Sequence, residues 1–287
     1  MASLIRVCVM TEEPKRRPIR IPAVVAISSV WLLLAIVMCI FLPPLLRYSA
    51  TAPDVAHAYA SPSGIHILGT DGLGRDELVR LLAGGRITLA VGAIAASVAI
   101  FVGTVYGAIA GFYGGWLDTT LMRIIDVLMS VPTFFLLLFL AAVFPGSLLT
   151  LMLVIGLTSW VNTARLVRGE VLTLKERLFV EAARAIGANE SRVLFRHIVP
   201  NAFGTIVTTA TFMVATAMLS ETALSYLGIG VRAPTPSWGN LLSSAQSDIF
   251  AGAYWLIVPP GLAILLTVCA LNFIGDWLRE RREVRAA

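Results

Sequence analysis

Long runs without any charged side chain alternate with short charged segments along this chain. The uncharged runs cover residues 21–46, 87–117, 127–164, 198–220 and 249–275. A membrane-spanning helix needs about 20 apolar residues, so four of these runs have the length for one crossing each. The fifth, 127–164, has 38 residues and is divided by Pro145, Gly146 and Ser147, which predicts a hairpin of two crossings. The pattern therefore predicts an all-α membrane protein with six transmembrane helices.

Composition supports the membrane assignment and excludes other classes. Hydrophobic residues make up 57% of the 287 residues and charged residues only 14%, which is too apolar for a soluble domain. The net charge of +5 is spread over the segments between the apolar runs, so no nucleic acid is expected as a partner. The cysteines and histidines are scattered without metal-ligand spacing: Cys8, Cys39, Cys269, His57, His66 and His197. We expect no cofactor and no metal in this chain.

The basic residues predict an orientation. With the N-terminus in the cytoplasm and six crossings, 17 of the 22 Lys and Arg residues fall in cytoplasmic segments. Positive charge concentrates on the cytoplasmic side of membrane proteins. Both termini and the charged segment at 165–197 are therefore predicted to be cytoplasmic.

The same pattern divides the chain into five parts. These are a cytoplasmic basic tail (1–22), a first transmembrane helix (23–46), an extracytoplasmic insert (47–84), a core of five transmembrane helices (85–278) and a cytoplasmic tail (279–287). The insert contains Asp71, Asp76 and Glu77, but their spacing does not fit a calcium-binding loop. We expect a structured turn at the membrane surface there.

The segment 165–196 is the one strongly charged internal stretch, with seven Arg or Lys and four Glu. Apolar residues recur at helical spacing through it, at Val167, Val171, Leu174, Leu178, Ala182 and Ile186. This spacing predicts an amphipathic helix with one apolar face. Gly187 follows, and glycine adopts the left-handed conformation that ends a helix without steric cost. The helix either docks a soluble partner or lies in the lipid interface.

Two further stripes lie within the apolar runs. Small residues recur at every fourth position, at Ala95, Ala99, Gly103, Gly107 and Gly111, which lets another helix approach closely, either within the chain or between chains. In the run 198–220, polar and aromatic residues share one helical face, at Thr205, Thr209, Phe212, Thr216 and Ser220. We interpret this face, with Glu221 beyond it, as part of a translocation path. The alternatives are hydroxyls bonded to their own helix and a structural salt bridge from Glu221 to Arg232 or Arg86.

The charged segment also resembles a known family. Glu181-Ala182-Ala183, then Gly187 and later Pro200, resembles the EAA loop of binding-protein-dependent ABC importers. The loop closes with His-Ile-Val-Pro at 197–200, where that family often has Ile-x-Leu-Pro. The stretches 68–76, 157–160, 224–231 and 234–240 resemble, in the same order, the C-type permease subunit of oligopeptide and dipeptide importers.

This resemblance implies the type I ABC importer permease (MetI-like) fold in a bacterial or archaeal plasma membrane. It implies a non-catalytic subunit that works with a homologous second permease subunit, two ATPase subunits that bind ATP and Mg²⁺, an extracytoplasmic substrate-binding protein, and a peptide substrate. The residues that the resemblance assigns to ATPase coupling are Glu181, Ala182, Ala183, Ile186, Gly187 and Pro200.

Other functions remain as alternatives at this stage. The same permease role could serve nickel or another small solute. A secondary transporter needs ionisable groups or a broken helix at mid-membrane, and the Pro259-Pro260 pair is the one interruption in the last apolar run that fits. An intramembrane enzyme is disfavoured, because neither His-Glu-x-x-His nor Gly-x-Ser-x-Gly occurs in the sequence.

Overall fold

The computed structural model describes residues 21–144, 147–249 and 252–286, with side chains up to 281. The predicted basic tail up to residue 20, and Pro145 and Gly146 of the predicted hairpin turn, lie outside this part of the chain. The α-helices in chain order are α1 (Ala23–Phe41), α2 (Glu77–Tyr113), α3 (Gly115–Met129), α4 (Thr133–Val143), α5 (Leu148–Leu174), α6 (Leu178–Ala185), α7 (Glu190–Arg192), α8 (Val199–Asn201), α9 (Phe203–Tyr226), α10 (Trp238–Asp248) and α11 (Val258–Ala286). A π-helical stretch, Val193–Ile198, joins α7 to α8, and short 3₁₀ turns occur at Pro43–Leu45, Val55–His57 and Tyr254–Leu256.

The transmembrane helices agree with the prediction in number once a bent pair is taken as one crossing. Five helices of the described part are long and apolar enough to span a membrane, and α3 with α4 forms a pair bent by 79° that passes the same test. The prediction of a simple hairpin over 127–164 is wrong in its first half. Helix α4 has only 11 residues, about 16 Å of helix, which is too short to cross alone. Pro132 immediately precedes α4 and cannot donate a backbone hydrogen bond, so the helix is interrupted there.

Two predicted boundaries shift for local reasons. Helix α1 ends at Phe41 because Pro43 and Pro44 follow. Helix α2 begins at Glu77, inside the predicted insert. Asp76 caps this helix, its carboxylate accepting a hydrogen bond from the Val79 amide at 3.0 Å. With 37 residues the helix is about 55 Å long and extends well beyond a hydrocarbon core of about 30 Å.

The predicted break at Pro259-Pro260 is also wrong. Helix α11 begins at Val258, so both prolines lie in its first turn. The first helical turn has no internal acceptor for its N–H groups, and proline is therefore tolerated there. The feature that favoured a secondary transporter is thus an ordinary helix start.

Helix α2 lies at the centre and packs against α5, α9 and α1. The small-residue stripe faces α5 within the same chain. A Cβ atom added at Gly103 would lie 2.6 Å from Thr163 Cβ, one added at Gly107 would overlap the Ala164 carbonyl, and one added at Gly111 would lie 2.8 Å from the Arg168 carbonyl oxygen. The stripe therefore serves packing within the chain, the first of the two alternatives.

Ion pairs join α3 to the C-terminal half of α5, which is the cytoplasmic half if the predicted orientation holds. The Arg168 guanidinium donates to both oxygens of Asp118, at 2.5 and 2.6 Å. Arg165 forms a second ion pair with Asp126. Bidentate Arg–carboxylate pairs fix relative orientation as well as distance, so α3 is held at a defined angle to α5.

The insert between α1 and α2 is a structured turn, as predicted. The carboxylate of Asp71 accepts hydrogen bonds from the Leu73 and Arg75 amides, both at 2.9 Å, and pairs with the Arg75 guanidinium at 2.7 Å. Tyr59 donates a hydrogen bond of 2.8 Å to Asp248, which ties the insert to α10 and raises the pKa of the Tyr59 hydroxyl.

Two histidines that look scattered in the sequence are neighbours here. The rings of His57 and His66 have centroids 5.8 Å apart. His57 bonds to Asp54 and the buried His66 bonds to Asp76, at 2.8 and 2.9 Å. The sequence does not show this proximity, and each ring is already engaged by a carboxylate.

The α2–α5 contact makes a direct prediction. We expect Gly107→Ala to lower the thermal stability of the purified protein by about 1–3 kcal/mol, because the new methyl group forces two backbones apart. Melting followed by tryptophan fluorescence in detergent measures it. The matched control is Gly169→Ala on α5, where an added Cβ meets no atom within 4 Å. That variant should keep or raise the melting temperature, and an unchanged melting temperature for Gly107→Ala would contradict the packing.

Candidate functional site

The predicted continuous apolar stripe is divided in the structure. Helix α5 ends at Leu174, and α6 begins at Leu178 with a new direction after an extended Arg177. Val167 and Val171 are buried on α5, whereas Leu178 and Ile186 are 81% and 87% exposed. The single-helix interpretation is therefore wrong. Its two halves belong to different faces, one packed inside the protein and one open.

A second set of residues holds α6 in place. Val180 and Ala183 are buried beneath it. They belong to one apolar cluster with residues from α2, α5 and the π-helical stretch: Ala108, Phe112, Val167, Val171, Val193, Leu194 and Ile198. Arg184 adds polar contacts, since its guanidinium bonds to both oxygens of Glu190 at 3.1 and 3.2 Å and lies 5.7 Å from the centre of the Phe112 ring. Helix α6 is thus fixed to the C-terminal end of α2.

Gly187 ends α6 in the left-handed conformation that the sequence predicts. Its φ is +80°. Its amide bonds to the Arg184 carbonyl at 2.9 Å, and the Ala188 amide bonds to the Ala183 carbonyl at 3.1 Å. These two bonds are those of a Schellman cap. An added Cβ would meet no atom within 4 Å, so backbone conformation, and not space, requires glycine here.

The remaining residues of the predicted EAA segment separate by exposure. Glu181, Ala182, Ile186 and Gly187 are exposed. Ala183 is buried below them, as part of the cluster that supports the helix. Pro200 is exposed but lies in α8, at the entry to α9, and not on α6. We call the exposed face formed by Leu178, Glu181, Ala182 and Ile186 the α6 surface.

The α6 surface is apolar in an unusual place. Its two large side chains, Leu178 and Ile186, project from a short, strongly charged segment and are covered by nothing in the described part of the chain. Glu181 lies in the first turn of α6, where a carboxylate interacts favourably with the helix dipole. An exposed apolar pair beside a charge is typical of a surface that meets a partner.

The predicted hydroxyl face on α9 is divided as well. Thr209, Thr216 and Ser220 donate hydrogen bonds to carbonyl oxygens four residues earlier in α9, at 2.8 to 2.9 Å. For these three, the local-bonding alternative holds. Thr205, Thr209 and Phe212 nevertheless line a cavity of about 450 Å³, whereas Thr216 and Ser220 do not.

This cavity lies among α5, α9 and α11. Besides the α9 residues, its lining includes Asn162 and Glu170 of α5 and Arg279 of α11. Leu166 and Met213 also line it, so the cavity combines apolar walls with a few polar groups. The cytoplasmic half of α9, in the predicted orientation, is therefore the part of the predicted path that has space beside it.

Glu221 is not on the predicted face. Its side chain is 0% exposed, so it contacts neither lipid nor a water-filled path. The alternative of a salt bridge is also wrong, because its hydrogen-bond partners are hydroxyl groups. Thr88 donates to Oε2 at 2.9 Å and Ser225 donates to Oε1 at 2.6 Å, and the buried Ser237 side chain also interacts with the carboxylate.

The hydroxyls around Glu221 connect three helices. The Thr88 oxygen also accepts from the Trp238 amide at 3.2 Å, and the Ser225 oxygen accepts from the Val231 amide at 2.9 Å. Each hydroxyl thus accepts from the backbone and donates to the carboxylate. A buried carboxylate is costly unless donors compensate it, and here they join α2, α9 and the start of α10.

Sequence reasoning missed Thr88, Ser225 and Ser237. One signal was available, since Ser237 and Asn240 form a capping box at the start of α10 with the spacing of that motif. It places the start of α10 at Trp238 but does not indicate that the cap lies against Glu221. The partner on α2 is 133 residues distant in sequence, and no local pattern connects the two.

These features define a polytopic membrane protein whose surface helix is attached to a packed transmembrane core. The chain belongs to the family described as "Binding-protein-dependent transport system inner membrane component", which matches residues 103–285. It is therefore an inner-membrane component of a transport system, and residues 181–187 lie within the matched range.

Curated relatives match over most of the chain. The oligopeptide transport system permease protein OppC of Bacillus subtilis (strain 168) is 41% identical over 254 residues, 88% of this chain and 83% of the relative. The dipeptide transport system permease protein DppC of Alkalihalophilus pseudofirmus is 38% identical over 85% of this chain and 80% of the relative. The glutathione transport system permease protein GsiD of Pectobacterium atrosepticum is 38% identical over 88% of this chain and 84% of the relative.

The geometry around Glu221 predicts a structural role for its carboxylate. In Glu221→Gln, one carboxylate oxygen becomes an amide N–H₂, which cannot accept the hydrogen bond that Thr88 or Ser225 donates, so one hydrogen bond is lost. We expect the apparent stability to fall by about 1–3 kcal/mol, measured as thermal melting in detergent.

The control for this prediction is Glu181→Gln, at an exposed carboxylate, which should leave the melting temperature unchanged. If Glu221→Gln melts like the wild type while uptake is lost, then the carboxylate acts in translocation and the structural assignment is wrong.

Proposed function

We propose that this chain is one of two membrane-spanning subunits of an ATP-driven importer of short peptides. The family and the functions named for three relatives, transport of oligopeptides, dipeptides and glutathione, support this assignment. All three substrates are peptides, which favours peptide cargo over nickel.

The proposed orientation places α6 in the cytoplasm. The distribution of Lys and Arg favours cytoplasmic termini, and the succession of crossings then brings α6 to the cytoplasmic side. The insert and the segment between α9 and α11 lie on the extracytoplasmic side in this arrangement, where a substrate-binding protein delivers cargo.

The α6 surface carries the coupling proposal. Its apolar side chains are exposed while its opposite face is fixed to α2 and α5 through Val180 and Ala183. A partner that binds Leu178 and Ile186 and then moves will therefore displace the ends of two transmembrane helices. A lipid-interface helix needs no such attachment, and Glu181 on the exposed face suits a protein surface better than acyl chains.

The partner in this proposal is an ATPase subunit that binds ATP and Mg²⁺. The present chain contains no Gly-x4-Gly-Lys-Ser/Thr sequence, the phosphate-binding loop of such enzymes. Two ATPase subunits and a homologous second permease subunit complete the assembly. The cavity lined by Thr205, Thr209 and Phe212 then contributes to the path between the two permease subunits.

Reconstitution tests the whole proposal. The chain, its homologous permease subunit, the ATPase subunits and the binding protein are placed in proteoliposomes with ATP. We expect peptide-loaded binding protein to stimulate ATP hydrolysis and labelled dipeptide to accumulate. Accumulation driven by an ion gradient without ATP would instead identify a secondary transporter.

Gly187 gives a sharper test of the coupling segment. A β-branched residue is strongly disfavoured at a φ of +80°, at a cost of about 1–2 kcal/mol or more, so Gly187→Val should distort the end of α6. We expect peptide uptake at least about tenfold below wild type (the tenfold step corresponds to about 1.4 kcal/mol), while insertion and assembly survive.

Two controls separate the backbone effect from a general one. Gly187→Asn keeps the left-handed conformation, which asparagine tolerates, and should retain most uptake. Gly169→Val adds the same side chain at a helical glycine with open space around it, and should also remain active. Wild-type uptake in Gly187→Val would remove the coupling assignment.

A further inference from the structure

A second, smaller cavity lies at the opposite end of the molecule from α6. It has a volume of about 230 Å³ and lies between residues of α4 and the start of α5 on one side and the segment that joins α9 to α10 on the other. Its walls are apolar, from Ala141, Leu151 and Val154, and its polar groups are Ser147, Thr235 and Arg232. Sites for drug-sized ligands measure about 300–1,000 Å³, so this cavity fits one residue of a peptide and not a whole one.

Arg232 is the cation of this cavity, and its charge is not neutralised locally. The side chain is exposed, and the ion pairs found in residues 21–144, 147–249 and 252–281 do not include it. A guanidinium presents a planar set of donors that matches a carboxylate in a bidentate arrangement. The cavity therefore combines an apolar slot with one group that recognises an anion.

The backbone on both sides of Arg232 is held by hydrogen bonds. The Val231 amide donates to Ser225 Oγ at 2.9 Å, and Ser225 is itself bonded to the buried Glu221. The Asn240 side-chain amide donates to the carbonyls of Val231 and Thr235, at 3.2 and 2.9 Å. The Glu221 network thus positions the segment that carries the guanidinium.

We propose that Arg232 and this cavity form a subsite for the C-terminal residue of an incoming peptide, with the guanidinium on the terminal carboxylate and the apolar walls around the last side chain. The proposal rests on the peptide-import function and on the orientation proposed above, which puts the cavity on the extracytoplasmic side. It assigns a role to the stretches 224–231 and 234–240, which coupling does not use.

A peptide end suits this site better than a carboxylate on the surface of the binding protein. The space is concave and narrow, with Ala141, Leu151 and Val154 lining its walls. A side chain that enters such a slot gains from apolar burial, whereas a carboxylate on a flat docking surface needs only the exposed guanidinium. If the ligand is a peptide end, the binding affinity depends on the side chain of the residue that bears the carboxylate. If the ligand is a carboxylate on the binding protein, it does not.

The test uses the assembled importer, permease subunits with ATPases, in nanodiscs without binding protein. Equilibrium binding is measured for fluorescently labelled alanyl-leucine and for its C-terminal amide. We expect the wild type to prefer the acid by about tenfold or more, as for a charge-assisted hydrogen-bonded pair. Arg232→Gln should remove this preference and Arg232→Lys should restore part of it. Replacing leucine by glycine should weaken binding to the wild type.

The matched control is Arg47→Gln, an exposed arginine of the insert's start that does not line this cavity; it should leave the acid preference unchanged. Equal binding of acid and amide by the wild type, or an acid preference that survives Arg232→Gln, would overturn the subsite. A third outcome would also overturn the subsite. If peptide-free binding protein no longer stimulates ATP hydrolysis in Arg232→Gln, then Arg232 acts in docking of that protein. Peptide uptake by the wild-type proteoliposomes is measured separately, so that failure of the subsite is distinguished from failure of the import function.

Discussion

The close approach of α2 and α5 is the constraint on which the other helices depend. Lipid offers no hydrophobic driving force between helices, so the contact must come from packing, and glycines at 103, 107 and 111 bring the two backbones together. Helix α5 covers one face of α2, and a different face of α2 packs against α9, where Gly92 contacts Met218. A bulkier residue in the stripe would displace α5, and with it α3, which is tied to α5 by the Arg168–Asp118 pair.

The two ends of this core are built differently because they meet different surroundings. At the end that carries α6, the extension of α2 and α5 ends in an apolar cluster, and Val180 and Ala183 complete it. At the other end, the same helix α2 meets α9 and α10 through hydroxyls arranged around Glu221. One end thus depends on apolar packing and the other on directional hydrogen bonds. Helix α2 runs without interruption from one of these ends to the other.

The sequence predicts the elements whose causes are local. Apolar length identifies the spans, and Gly187 announces a left-handed helix end, which the φ of +80° confirms. Prediction from the sequence fails where a structural feature depends on residues far away along the chain. Periodicity predicts one apolar stripe from α5 through Leu178 and Ile186, because it cannot show that the helix ends at Leu174 and resumes in a new direction. Eight residues lie between His57 and His66, so their proximity is not visible in the sequence; the chain folds back between them, with Thr70 bonded to the His57 carbonyl and to the Ala60 backbone.

Glu221 shows why a charge near the end of a span is ambiguous. A carboxylate beside an apolar run needs a partner that offsets its cost of desolvation. The size of that cost does not tell whether the partner is water, a cation or a hydroxyl donor. The hydroxyl-rich sequence around it suggested a polar path, yet Thr209, Thr216 and Ser220 are satisfied by their own helix. The donors that matter come from Thr88 and Ser225, one on another helix and one a single turn further on. Each of these hydroxyl oxygens also accepts a hydrogen bond from a backbone amide, that of Trp238 or Val231. Through the two hydroxyls, the carboxylate therefore fixes the backbone at both residues. A buried carboxyl group therefore orders the segment between α9 and α10, and the exposed Arg232 is presented from that segment.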